Sequence, residues 1–203
     1  PGRPLRPGRP NYWPTAGPVL PPTMPSPPRV YPQGGSRICP LNRGNELGMV
    51  MLDLGRVTGD AVYLERAARL ARFFRQGCQL LPGGQLVWEY LPQRYALDGE
   101  DIGHACVQIF FTLACVRDGV VLTVADLHAM AATLRTLIFR HGDVPALTVR
   151  GYGVGFDPAV GAYSALAHFA PDVLTRIVAV VETLMDEEKF NFKEQGCGIR
   201  VLT

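Results

Sequence analysis

Residues 41–77 read LNRGNELGMVMLDLGRVTGDAVYLERAARLARFFRQG, and the fold turns on how this stretch is read. Leu41, Leu47, Val50, Met51 and Leu54 recur at helical spacing, and the stripe stops at Gly55 and Thr58-Gly59. Asp60 then suits an N-cap, because its carboxylate accepts the free N–H groups of a first turn. A second helical period follows at once, with Leu64, Ala67, Ala71 and Phe74 on one face. Arg66, Arg69, Arg72 and Arg75 recur on another face, which reads as solvated, and Glu65 sits four residues before Arg69 as a favourable surface pair. Two helices joined by so short a turn lie antiparallel.

Downstream the same pattern repeats. A loop over about 79–99 carries Pro82, Gly83, Gly84, Pro92 and Gly99, and its Leu86–Leu91 segment suits a short strand. A helix over about 101–117 presents Ile102, Ala105, Cys106, Ile109, Phe110, Leu113 and Val116. After Asp118-Gly119, Thr123 caps a helix to about 140, with Asp126 at the third position and Leu127, Met130, Ala131, Leu134 and Leu137 inside. A glycine-rich loop over 141–159 leads to a helix at about 160–169. Pro171 opens the last helix, to about 187, at a position where its missing N–H is harmless. The plan is helix, short turn, helix, long loop, three times over: an all-α fold of antiparallel hairpins with the long loops on one rim.

Upstream the pattern changes. Residues 1–36 hold most of the prolines, which fix φ and remove backbone donors, so neither helix nor central strand is expected there. This arm is either an extended linker or a strap packed through Tyr12, Trp13, Val19, Leu20, Val30 and Tyr31. The domain division is therefore 1–36 for the proline-rich arm and 37–203 for the helical hairpins.

Composition narrows the function. The net charge is only +2, which gives no reason to expect nucleic acid or an anionic membrane as the main partner. No apolar run is long enough to span a membrane. No signal peptide is visible in a chain that opens at Pro1, and compartment stays unknown on these grounds. The five cysteines fit no zinc motif and read as small core residues rather than disulfide partners, so no metal is expected. Gly151-Tyr152-Gly153-Val154-Gly155 follows no clear strand and is not a dinucleotide fingerprint; no Gly-rich loop ends in Lys-Ser/Thr, so no cofactor is expected.

Two blocks resemble a known family. Asn42 through Gly48, Thr58-Gly59-Asp60, Tyr63-Leu64 and Ala67–Phe74 resemble a hairpin of (α/α) toroid proteins. Trp88-Glu89-Tyr90 and Glu100-Asp101-Ile102-Gly103-His104-Ala105 resemble a segment of glycan-active toroids such as polysaccharide lyases and glucuronyl C5-epimerase-like proteins. The likeness covers about residues 41–140. It implies a partial (α/α) toroid that acts on or binds a uronate-containing polysaccharide or oligosaccharide, and it tilts the compartment toward extracytoplasmic. A closed toroid needs more hairpins than the three read here, so the likeness also implies self-association or a missing portion of chain. The alternative is a non-catalytic helical-repeat or half-toroid binding module.

The candidate site is drawn from these blocks. Glu100 and Asp101 stand at a helix start, where carboxylates favour the dipole, so they serve as caps or as substrate contacts. His104, one turn in, is either an acid or base oriented by a carboxylate or a buried structural histidine. Trp88 and Tyr90 alternate and either stack on sugar rings or fill the core. Asn42, Arg43, Asn45 and Glu46 form a polar cluster in which Arg43 suits a uronate carboxylate. A lyase must neutralise that carboxylate, remove the C5 proton and protonate the leaving oxygen. Arg43, Asn42 or Asn45 suit the first role; His104, Tyr90 and Tyr152 suit the others. Glu100 and Asp101 are adjacent, which makes them a poor hydrolase pair.

Overall fold

The structure, a computed structural model, describes residues 39–91 and 99–186. The proline-rich arm with its strap residues, the segment around Pro92 and the tail with Cys197 lie outside the described residues. The helices are α1 (Leu41–Thr58), α2 (Ala61–Gly77), α3 (Ile102–Arg117), α4 (Val124–Thr133) and α5 (Pro171–Asp186). α4 continues through a π turn over Leu134–Ile138, and a 3-10 helix spans Pro158–Leu166. β1 (Gln79–Leu80) and β2 (Leu86–Val87) form an antiparallel ribbon with Gln79 opposite Val87. The fold is all-α.

Local chemistry places the helix ends as expected. The Asp60 carboxylate accepts the Val62 N–H, and Gly59 closes α1 in the left-handed region. The Asp126 carboxylate accepts both the N–H and the hydroxyl of Thr123. The last short helix is wound more tightly than expected. Its buried residues are Val160, Tyr163 and Leu166, three apart, and a 3-10 helix stacks residues three apart on one face.

The helices form two layers. α1, α3 and the 3-10 helix pack side by side, with α2 against α1, α4 against α3 and α5 against the 3-10 helix. Gly48 of α1 faces Phe111 of α3, and Arg56 of α1 pairs with Asp118 just past α3, so α1 and α3 run parallel. The start of the 3-10 helix lies beside the start of α3: a Cβ on Gly103 would come 3.8 Å from the Ala159 Cβ. The three inner elements therefore begin at one rim.

Side-chain placement corrects part of the sequence reading. The buried face of α1 is Leu41, Asn42, Asn45, Gly48, Leu52 and Gly55, whereas Leu47 and Val50 are half exposed. Small residues face inward because the neighbours come close: a Cβ on Gly48 would sit 2.6 Å from the Phe111 Cζ. On α3, Gln108, Phe111 and Thr112 are inside and Phe110 is exposed. The arginine stripe of α2 is not wholly solvated either. Arg75 binds Asp126 at 2.7 Å and ties α2 to the first turn of α4.

Candidate functional site at the rim

The long connections are knitted onto the helix starts. Leu41 N–H donates to Tyr90 O, Glu100 N–H to Trp88 O, Ile102 N–H to Leu147 O and Val149 N–H to Glu100 O. Thr148 bridges Asp101, and Tyr152 N–H donates to the Thr148 hydroxyl. Gly151 turns the chain between them with φ at 83°, a conformation that disfavours any residue bearing a Cβ.

Asp101 does two things at this rim. Its Oδ1 caps α3 by accepting the His104 N–H at 2.9 Å, and its Oδ2 holds His104 Nδ1 at 2.6 Å. Capping therefore aims the carboxylate at the imidazole. Nδ1 is thereby committed to Asp101, and Nε2 bonds nothing among the described residues. His104 is about half exposed, and the Tyr90 ring lies 5.3 Å from it, tilted by 57°. Asp157, which caps the 3-10 helix at Ala159, stands near Gly103 on the same rim. Leu147, Tyr152, Val154 and Phe156 are exposed on the adjoining loop.

Behind the dyad lies a buried polar group. Glu100 is fully buried, and its Oε2 accepts Trp88 Nε1–H and Gln108 Nε2–H, both at 2.6 Å. Burial, reinforced by the nearby Asp101 and Glu89 charges, pushes its carboxyl up to about 8, against the pull of those two hydrogen bonds. Trp88 packs edge-on against Phe74 in the core. Glu89, almost fully buried, accepts Gly99 N–H at 2.9 Å and Arg150 Nε–H at 2.6 Å.

The structure brings together Tyr90, Asp101 and His104. It withdraws Trp88 and Glu100 from solvent, so neither presents a face or an oxygen to a ligand, in contrast to the expected substrate contacts. The ladder ends at Val87, so the strand alternation that would turn Trp88 and Tyr90 the same way does not operate. The polar cluster of α1 is divided. Asn42 and Asn45 are buried, while Arg43 and Glu46 are solvent-facing and pair at 3.0 Å. Tyr152 is exposed in its loop and makes no hydrogen bond or ring contact with His104 among the described residues.

Sequence reasoning missed Gln108 and Arg150. Gln108 had a readable signal: it stands one residue before Ile109 and seven after Asp101, in the core register of α3. Arg150 had none, because its partner Glu89 is 61 residues away in the chain. A shallow groove between α1 and α3, lined by Met49, Asp53, Phe110, Leu113, Ala114 and Arg117, lies farther along α3 than His104 and holds no such chemistry. No group of histidine, cysteine and carboxylate side chains among the described residues is arranged to hold a metal. None of the described helices is long and apolar enough to cross a membrane. Compared with protein-family profiles, curated proteins and solved structures, the chain finds no match.

Proposed function

We propose that this chain handles a uronate-containing polysaccharide or oligosaccharide at the rim where α3 begins, by proton transfer of the lyase or epimerase type. The observation that carries this reading is the Asp101–His104 pair, half exposed and set beside Tyr90. Breaking a C–H bond next to a carboxylate needs a base, and an imidazole oriented through Nδ1 offers one at Nε2. Tyr90 is the neighbouring O–H that can protonate the opposite face or the leaving oxygen. Helix N-termini gathered at one rim favour an anionic sugar, and Arg43, exposed in the first turn of α1 and paired with Glu46, is a surface cation for its carboxylate. Tyr152 and Phe156 offer apolar surface for sugar C–H faces, in place of the buried Trp88. The two-layer order of hairpins favours an open portion of an (α/α) toroid as the fold.

The test is turnover of a uronic-acid polysaccharide panel. Absorbance of an unsaturated product reads elimination, and deuterium uptake at C5 reads epimerisation. His104→Ala and Asp101→Asn should each lower turnover by about 100-fold or more. Both should keep stability within about 1 kcal/mol, since asparagine still caps a helix and His104 is exposed. Full turnover by His104→Ala would remove the dyad from the mechanism.

The burial of Trp88 and Glu100 favours a second reading, a non-catalytic helical-repeat or half-toroid binding module, here for a glycan. It predicts that a glycan is retained by the parent chain and lost by His104→Ala, with neither product nor C5 exchange.

A further inference from the structure

Around Glu100 the buried polar groups are left with more acceptors than donors. Among the described residues, three buried side-chain atoms lack a partner: Glu100 Oε1, Gln108 Oε1 and Asn45 Nδ2. The first two belong to groups that already share one bond, from Gln108 Nε2–H to Glu100 Oε2 at 2.6 Å. A carboxyl and a carboxamide are both planar, with two polar atoms each. When they pair edge to edge, through the syn N–H and the syn lone pair, the bond on one side sets one oxygen of each against the other. Two acceptors so placed repel unless a hydrogen lies between them.

We infer that Glu100 is a carboxylic acid in the folded protein, its Oε1–H donating to Gln108 Oε1, and that this cyclic acid–amide pair latches the rim loops onto α3. One proton satisfies both orphan acceptors. The surroundings agree. Trp88 and Gln108 are neutral donors on Oε2, and the charges acting on the carboxyl are those of Asp101 and Glu89, both negative. Arg150, on the loop side, is committed to Glu89 and Gln79. From the end of α2 the Cys78 thiol faces this region, and from the 3-10 helix the Tyr163 phenol does; burial holds both in their neutral forms. No cation among the described residues bonds the carboxyl.

The latch follows from the backbone of the same residue. Glu100 N–H donates to Trp88 O at 3.1 Å, and Glu100 O accepts Val149 N–H at 2.9 Å. Glu100 is thus stitched to both long connections by its backbone, and to Trp88 and α3 by its side chain. Ionisation releases the Oε1 proton to solvent, breaks the ring and leaves a buried charge beside Asp101. The Tyr90–His104 contact, built on those same segments, then loses its backing.

The alternative filling is Asn45. The parallel register of α1 and α3 sets it level with Gln108, and its Nδ2 can bridge the two oxygens of an ionised pair. The experiment separates the two. In the full chain labelled with 15N and carrying Trp13→Phe, the Trp88 indole N–H is followed against pH. The latch predicts a shift with its midpoint near 8, the value to which burial raises this carboxyl. Glu100→Gln should remove that step and keep the fold, because an amide supplies an N–H to Gln108 Oε1 and an oxygen to Trp88 and Gln108. A midpoint in the ordinary carboxylate range, or a flat profile, overturns the proposal and favours the Asn45 bridge. If Glu100→Gln does not fold, infrared spectroscopy of the parent chain decides. A protonated-carboxyl C=O band should be present at neutral pH and lost in alkali; its absence at neutral pH overturns the latch. Neither readout depends on whether the rim turns over a glycan.

Discussion

A carboxyl buried without a cation makes folding depend on pH, and at the scale of single residues Glu100 should dominate that dependence. Its ordinary value is 4.5 and its folded value about 8, so the folded chain binds the extra proton between them. By linkage the stabilising contribution is complete below the lower value and is lost as pH rises to the upper one. Urea melts should therefore show stability falling from about pH 5 to about pH 8, by up to about 5 kcal/mol from this group alone. Glu100→Gln should flatten the profile across that window; a parent chain more stable at pH 8 than at pH 5 would reverse the sign and refute the assignment. Asp101, one residue on, is half exposed and spends its oxygens on the His104 N–H and ring. Adjacent carboxyl groups thus take opposite roles, one as a neutral interior acid and the other as the cap of α3 and the partner of His104. Both had a capping role available from the sequence. Which of them turned inward depended on where Trp88 and Gln108 came to rest.

At the scale of elements, the packing of α1 rests on which glycines face a neighbour. Gly44 and Gly48 are one turn apart on the same helix. A Cβ on Gly44 meets only the Leu70 Cδ2 at 3.9 Å, an ordinary contact, whereas one on Gly48 would come 2.6 Å from the Phe111 Cζ. Phe111 is fully buried and has no room to retreat. Gly44→Ala should stabilise the chain by about 0.5–1 kcal/mol through helix propensity. Gly48→Ala should destabilise it by about 1–3 kcal/mol through overpacking. Thermal melts of the two variants check the pair, and equal shifts would show that α1 and α3 do not meet as described. Helix existence and ends were legible because caps and periodicity are local. The inward face of α1 was less so, since its apolar stripe of Leu47, Val50 and Leu54 competes with a stripe of small residues, and only the approach of Phe111 and Leu64 makes the small stripe the buried one.

At the scale of the whole molecule, the two long connections are held to each other as well as to the helices. Arg150 of the second connection binds Glu89 of the first, whose carboxylate is nearly fully buried. Arg150→Ala leaves that charge unpaired in the interior and should cost about 3 kcal/mol. Arg69→Ala, which breaks an exposed pair with Glu65 on α2, should cost no more than about 0.5 kcal/mol. Chemical denaturation distinguishes them, and similar losses would mean that the rim is not braced by Arg150. The sequence by itself determined the all-α class, the order of three hairpins, the caps at Asp60 and Thr123, and the placing of a carboxylate within reach of His104 at the start of α3. Each of these is a matter of neighbours within about one helical turn, where chain geometry leaves little choice. Only the tertiary structure decided that Trp88 is core, that Tyr90 meets His104, that Glu100 is closed in with Gln108, and that Arg150 answers Glu89. These pairings join residues from separate elements, and whether an aromatic or a carboxyl faces a ligand or the interior depends on what the next helix brings against it.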